Sequence, residues 1–227
     1  MVTRLAGGLS WVALSAMGCV SLSSVQTADT LGAGRLQLGI EPGVAGLVDP
    51  STRAVAVSPA ADFSVRYGAL DRLDLGARLG QSGLELQAKL MVTPRSSPFI
   101  VSFAPHLAGQ LRVDSRLAIT GQIINLGLPL LLGLRLGRHQ LILGPRLHVL
   151  GSLPADRAEP ARRVLAVGGS IGLSIRISSA VQVLPELALV APLEPQPLLD
   201  RADTFSQLTG GVLAQARLGF LIGGASP

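Results

Sequence analysis

Residues 62–78 contain two stretches in which polar and apolar side chains alternate: Asp62-Phe-Ser-Val-Arg-Tyr-Gly68 and Arg72-Leu-Asp-Leu-Gly-Ala-Arg78. Successive side chains of a β-strand point to opposite faces, so each stretch predicts a strand with one polar and one apolar face. The residues between them, Ala69-Leu-Asp71, are few enough to form a hairpin turn. The segment therefore predicts two antiparallel strands in sequence order.

The same period of two continues along most of the chain. It recurs in Arg35–Glu41, Glu85–Lys89, Gln140–His148, Ser170–Arg176 and Gln215–Phe220. Short and longer connections roughly alternate between these runs, which is typical of outer-membrane barrels with tight periplasmic turns and longer external loops. We predict an all-β fold, an antiparallel up-and-down β-barrel of about ten strands, in which 118–137 could also form two: 34–47, 55–68, 72–80, 83–93, 98–111, 118–137, 139–151, 163–177, 180–192 and 206–223.

The composition is apolar but contains no helix-length apolar segment. Apolar residues make up 48% of the 227 residues, and the mean hydropathy is +0.49. The longest apolar candidate, Leu126–Leu136, is short and includes Pro129 and Arg135. A spanning helix needs roughly 20 apolar residues, so the apolar side chains either fill a soluble core or face lipid from strands.

The net charge of +5 comes from dispersed arginines rather than a basic run. That pattern does not indicate a nucleic-acid partner. The polar face of the predicted strands is rich in Arg and Gly, with a single Lys, and this favours an interior of ion pairs over a solvated surface. We predict a lumen network with nine basic and five acidic members, and hence a preference for anions in any pore: Arg35, Glu41, Asp62, Arg66, Arg72, Asp74, Arg78, Glu85, Lys89, Arg135, Arg146, Arg176, Glu186 and Arg217.

The N-terminus has the layout of an export signal. Arg4 precedes an apolar stretch from Leu5 to Ala16, which is too short to span a membrane, and Gly18 precedes the only cysteine, Cys19. We predict a signal peptide at 1–18, a lipid-anchored tether at 19–33 with Cys19 as the lipidation site, and the barrel at 34–227. An ordinary cleaved signal is the alternative.

Aromatic residues are scarce for a membrane barrel, which normally carries aromatic girdles at both interfaces. Within the predicted strands, only Phe63, Tyr67, Phe99, Phe103 and Phe220 remain for that role, and seven residues follow Phe220. This scarcity argues against membrane insertion and keeps a soluble barrel open as an alternative.

The chain resembles small lipoprotein-anchored outer-membrane barrels of Gram-negative bacteria, a largely uncharacterised group. The similarity rests on Gly18-Cys19, on Thr27–Gly32, on the hairpin containing Arg66-Tyr-Gly68 and Arg72–Gly76, and on Leu134–Leu141. It implies a place in the cell outer membrane, with outer-membrane lipid and the barrel-insertion machinery as partners. It implies no activity or substrate.

One motif raises the possibility of catalysis. Gly168-Gly-Ser170-Ile-Gly172 has the G-x-S-x-G pattern of esterases, with His148 as a possible partner of Ser170. That motif requires a sharp strand-to-helix turn, whereas this one lies within a period-two run. The histidines His106, His139 and His148 lack metal spacing, and we expect no cofactor and no enzyme.

Three functional hypotheses follow. The first is an outer-membrane barrel of structural or narrow anion-preferring channel type. The second is a soluble, lipid-tethered periplasmic barrel that binds an apolar ligand inside. The third is an outer-membrane hydrolase that depends on Ser170.

Overall fold

The computed structural model describes residues 22–48, 55–80, 83–113, 119–155, 161–193 and 211–224. The predicted signal peptide 1–18 and the predicted lipidation site Cys19 lie outside the described residues. All regular elements in the described ranges are β-strands. No helix among the described residues is long and apolar enough to cross a membrane.

Twelve strands form one closed antiparallel wall. Their order around the barrel follows the chain, and closure comes from the pairing of the first strand with both the second and the last. The strands are β1 Leu36–Val48, β2 Val55–Leu70, β3 Leu73–Gly80, β4 Gly83–Met91, β5 Phe99–Phe103, β6 His106–Val113, β7 Ile119–Leu136, β8 His139–Leu143, β9 Arg146–Pro154, β10 Arg162–Arg176, β11 Val181–Pro192 and β12 Val212–Gly223.

The twelve strands build ten wall positions, which confirms the predicted ten-stranded barrel. β5 and β6 share one position, and β8 and β9 share another, because each pair is interrupted at a proline, Pro105 or Pro145. Proline has no N–H to donate to the ladder. Its carbonyl still accepts, as in the 2.9 Å bond from Leu130 N to Pro145 O, so the wall continues across the break. The stretch 118–137 is one strand, β7, rather than two.

The two ends of the barrel differ. Three of the four connections at one end, here named the turn end, have two to four residues: 71–72, 137–138 and 177–180; the fourth, 92–98, has seven. The strand ends that flank residues 49–54, 81–82, 114–118, 156–160 and 194–210, which lie outside the described residues, define the opposite end, named the loop end. Four of these five connections have five or more residues.

The outer surface of the wall is apolar. Large hydrophobic side chains are exposed on every wall strand, for example Leu38, Leu86, Leu107, Ile171 and Leu187. The five aromatic residues of the predicted strands point outward, and three of them, Tyr67, Phe99 and Phe220, lie near the turn end. The outward band therefore has the polarity of a lipid-facing wall.

The inner face is mixed and densely occupied. It contains charged side chains at mid-height and two apolar clusters. One cluster lies near the loop end and includes Ile123, Leu150 and Leu213; the other includes Met91, Ile100 and Leu221. A ten-stranded barrel has little more internal space than an eight-stranded one, whose interior side chains can fill.

Because the outer face of the wall is apolar, the loss of stability caused by a charge placed there should depend strongly on its position along the barrel axis. Leu187 is 60% exposed at the middle of β11, so Leu187→Arg should destabilise the barrel in lipid vesicles by about 2–4 kcal/mol. Leu70 is 62% exposed beside the turn end, and Leu70→Arg should cost about 0–1 kcal/mol. Urea unfolding in vesicles measures both. Equal and negligible costs at the two positions would mean that water, not lipid, covers the outer face.

Candidate functional site in the barrel lumen

Ten of the fourteen predicted network residues are buried inside the wall. Strand alternation places them there, because each occupies the inward parity of its strand. Five are acidic and five are basic, each at most 5% exposed: Glu41, Asp62, Asp74, Glu85, Glu186, Arg66, Arg78, Lys89, Arg146 and Arg217.

Ion pairs link all five buried carboxylates to cations. Arg78 binds Glu85 at 2.5 Å and Glu41 at 3.3 Å. The others are Lys89–Asp74 at 3.1 Å, Arg146–Glu186 at 3.1 Å and Arg217–Asp62 at 2.7 Å. Isolated charges buried in such a narrow space are costly, and pairing offsets that cost. The buried part of the lumen is therefore electrically balanced.

The remaining four predicted network residues lie elsewhere. Arg35, Arg135 and Arg176 are half-buried at the turn end. Arg72 is exposed in the Asp71–Arg72 turn, so its prediction as a lumen residue is corrected. The alternation of β3 begins at Leu73, and a turn residue does not follow it. Among the predicted network residues, the cations outside the balanced middle therefore lie at the turn end.

The N-terminal segment occupies the lumen. Residues 22–31, here named the plug, are buried within the wall; Leu22, Val25 and Ala28 are each at most 2% exposed. The sequence predicted a tether for 19–33, and the part of it that the structure describes, from Leu22 onward, lies inside the barrel instead. Apolar positions in the plug join both lumen clusters: Leu22 the loop-end cluster, and Val25 and Ala28 the other.

The plug runs along the barrel axis with its N-terminal side toward the loop end. Leu22 packs with Val164 and Leu213, which lie within two residues of the loop-end limits of β10 and β12. Thr30 Oγ1 donates to Asp71 O at 2.8 Å, in a turn-end connection. The chain then passes Gly32–Gly34 and enters β1. The position of the plug inside the lumen was not predicted, because residues 22–31 have no period-two pattern.

Two wall glycines make room for the plug. A Cβ at Gly219 would lie 2.2 Å from Val25 Cγ1, and one at Gly133 would lie 2.7 Å from Ala28 Cβ. Both distances are too short for real carbon contacts. An inward-facing glycine within a strand can indicate that another segment approaches it closely. These glycines are the signal in the sequence from which a segment inside the lumen could have been inferred.

A cavity of about 350 Å³ lies at the turn end, next to the plug. Its lining includes Arg95, Arg135, Arg138 and Arg176, together with Asp29 of the plug. Asp29 Oδ1 accepts from Arg135 Nη2 at 2.5 Å, which neutralises one of these charges. The turn-end mouth is therefore the most positively charged part of the described lumen.

The residues of the possible hydrolase do not act together. Ser170 lies within β10, not at a strand-to-helix turn, and its hydroxyl accepts from Arg146. His148 Nδ1 lies 3.0 Å from Asn125 Oδ1. His148 and His106 are neighbours, with ring centroids 5.6 Å apart, whereas His139 lies in the turn-end cavity. Among the described residues, no group of three or more histidine, cysteine or acidic side chains could hold a metal ion.

No known family model matches this sequence, and no curated protein resembles it significantly. Solved structures of similar shape include Neisserial surface protein A (9% identity, TM-score 0.42, 82% of this chain and 96% of that chain covered). The attachment invasion locus protein Ail of Yersinia pestis matches at 8% identity and TM-score 0.38, over 84% and 99%. The translocator domain of the autotransporter NalP of Neisseria meningitidis matches at 10% and 0.41, over 84% and 88%. These likenesses carry no assignment of function.

Breaking a buried ion pair should be far more harmful than removing both partners. Arg217→Met leaves Asp62 charged and buried, so we expect a loss of about 3–5 kcal/mol in the free energy of unfolding. Arg217→Met combined with Asp62→Asn removes both charges and should recover much of that loss. Urea titrations in vesicles report both values. A double variant no more stable than Arg217→Met would contradict a paired lumen.

The contact between Gly219 and the plug gives a second test. Gly219→Ala places a carbon against Val25 and should destabilise the barrel by about 1–3 kcal/mol. Adding Val25→Gly removes the colliding side chain and should restore stability. Gly109→Ala is the matched control, because Gly109 faces outward with no atom near its Cβ position. If Gly219→Ala is as harmless as the control, the plug does not contact this part of the wall.

Proposed function

We propose that this protein is an outer-membrane β-barrel of structural or narrow-channel type whose own N-terminal segment closes the lumen. The observation that carries the proposal is the polarity of the wall: ten charged side chains are buried inside, while leucine, isoleucine, valine and aromatic side chains cover the outside. A soluble barrel has the opposite arrangement. A closed wall also leaves no unpaired strand edge, as a membrane requires.

Three further features support an outer-membrane location. Most of the short connections lie at one end and most of the longer ones at the other, three of the five exposed aromatic residues lie toward the turn end, and the N-terminus has the layout of an export signal. Outer-membrane lipid would contact the apolar wall, and the barrel-insertion machinery would assemble it. Lipidation at Cys19 would add an anchor at the N-terminal side of the plug.

The lumen favours a closed barrel over an open pore. Side chains and the plug occupy its middle, and the excess positive charge lies at the turn-end mouth. Any solute passing that mouth meets arginines first, so residual conduction should favour anions. The alternative of an apolar ligand inside a soluble barrel requires an apolar interior, whereas the described interior is crossed by ion pairs. The hydrolase alternative lacks a contact between Ser170 and His148.

Extraction of a lipidation variant tests membrane insertion. Cys19→Ser should abolish incorporation of radiolabelled palmitate, yet the protein should stay in the outer-membrane fraction after carbonate washing, because its apolar wall holds it there. The purified protein should migrate faster on gels before heating than after. Release of Cys19→Ser into the soluble fraction would support the tethered soluble barrel instead.

Electrical recording tests the closed lumen and its charge. The wild-type protein in planar bilayers should remain mostly closed, and its rare openings should pass chloride more readily than potassium. Arg138→Gln removes an exposed arginine at the turn-end mouth without breaking a buried ion pair, and it should reduce that preference. Cation-selective openings would refute the charge argument, and a large permanent conductance would refute the closed lumen.

A further inference from the structure

The plug is held chiefly through its backbone. Four wall side chains accept hydrogen bonds from its amide groups. Gln215 Oε1 accepts from Leu22 and Ser23 at 3.0 and 3.1 Å, Glu186 from Ser24 and Val25 at 3.4 and 2.6 Å, Gln140 Oε1 from Ala28 at 2.9 Å, and Asp74 Oδ1 from Leu31 at 3.0 Å.

Wall donors bind the plug carbonyls in the same way. Arg146 binds the carbonyl of Leu22; Arg78 binds Ser23 O at 2.7 Å and Arg66 binds Val25 O at 2.6 Å; Lys89 Nζ binds Thr27 O at 3.2 Å and Asp29 O at 2.6 Å; Ser102 Oγ binds Ala28 O at 2.5 Å. Three of the five buried cations, Arg78, Lys89 and Arg146, thus form both an ion pair with a wall carboxylate and a hydrogen bond to the plug backbone.

The polar side chains of the plug contact the wall at fewer positions than its backbone does. Ser23 Oγ donates to Glu186 Oε2 at 2.9 Å, Ser24 Oγ accepts from Arg146 Nη2 at 3.4 Å, and Thr30 Oγ1 donates to Asp71 O at 2.8 Å. Asp29 binds Arg135 and Gln140 at the mouth. Val25 has a φ of +29°, which β-branched residues disfavour. Both its amide and its carbonyl are bound by the wall, so main-chain contacts hold the residue against its own conformational preference.

Several wall donors that bind the plug are also held by ion pairs within the wall. Arg78, Lys89 and Arg146 are each fixed by a carboxylate of the wall, so little reorganisation accompanies their bonds to carbonyls. Main-chain N–H and C=O groups are common to every polypeptide. A site built from bonds to these groups, with glycines where side chains approach, selects an extended backbone and small side chains rather than a particular sequence.

We infer that the lumen is a binding site for an extended polypeptide with small or polar side chains, recognised through its main chain and oriented with its N-terminus toward the loop end. The plug is its resident occupant, and another extended peptide of similar side-chain size can take its place. This goes beyond the proposed function, which requires only that the lumen be closed.

Variants of the full chain separate main-chain from side-chain recognition. One variant replaces Ser23, Ser24, Gln26, Thr27 and Thr30 by alanine together and keeps every backbone group. It should stay as closed as the wild type. Ala28→Pro removes the N–H that Gln140 accepts, and it should raise the open probability in bilayers about tenfold, since a lost buried hydrogen bond has that magnitude. Ala28→Val, of similar size but with the N–H retained, is the matched control and should open less.

Gln140→Met keeps the test decisive if Ala28→Pro does not assemble, because it removes the same bond from the wall side and should likewise increase opening. Heat-modifiable migration checks the fold of every variant. Opening of the multiple-alanine variant to the extent of Ala28→Pro would overturn main-chain recognition. So would unchanged closure of both Ala28→Pro and Gln140→Met.

Synthetic peptides test replacement of the occupant. The ten-residue peptide with the sequence of Leu22–Leu31 should block the open Ala28→Pro barrel, in which Gln140 is intact, and a peptide with the alanine replacements should block with a similar Kd. A third peptide, N-methylated at the position of Ala28, has the same side chains but lacks one N–H and should block about tenfold less well. Equal block by the methylated peptide, or no block by any peptide, would overturn the inference. Membrane insertion would stand in either case, because the Cys19→Ser extraction tests it separately.

Discussion

Confinement of charge inside a wall with an apolar exterior is the constraint on which the rest of this structure depends. Each wall strand has an apolar outward face and a face toward the lumen, so a charged residue at mid-barrel must point inward. Inside, it has little water and needs a partner. The register provides one: Arg78 lies directly opposite Glu85 across β3 and β4 and binds it. A slip of β4 by one residue would turn Glu85 outward and leave Arg78 inside without it, so the ion pairs specify register as well as satisfy charge.

The plug follows from the same constraint. Five cations and five carboxylates crowd the middle of the lumen, and ion pairs leave some donors of each guanidinium and acceptors of each carboxylate unused. Arg66 shows this best, since its bonds go to Gln37 and to the carbonyls of Ser24 and Val25. An extended backbone presents alternating donors and acceptors along the barrel axis. The plug backbone therefore bonds to donors and acceptors of the lumen network and also excludes solvent. The same contacts close the barrel and provide partners for buried polar groups.

The distribution of charge sets what the two mouths can do. The middle of the lumen is balanced by pairing, whereas the turn end gathers Arg95, Arg135, Arg138 and Arg176 around a cavity. Asp29 of the plug neutralises one of them, Arg135, through an ion pair. Under the proposed function, a closed barrel and a conducting barrel would share one wall and differ in the occupant of the lumen. The mouth would then set ion selectivity, and the backbone contacts of the plug would hold the lumen closed.

The alternation of side chains was enough to predict the ten wall positions, the inward face of the strands and ten of the buried charges, because strand parity is a local property of the chain. It misplaced Arg72, since parity stops where the turn begins, and it could not foresee the breaks at Pro105 and Pro145. The plug was decided by tertiary structure alone. Leu22 binds Gln215, 193 residues away, and no local pattern encodes that contact. The sequence determined which side chains would face the lumen; only the closed wall, with the volume and the spare donors that it leaves, decided that a backbone would fill it.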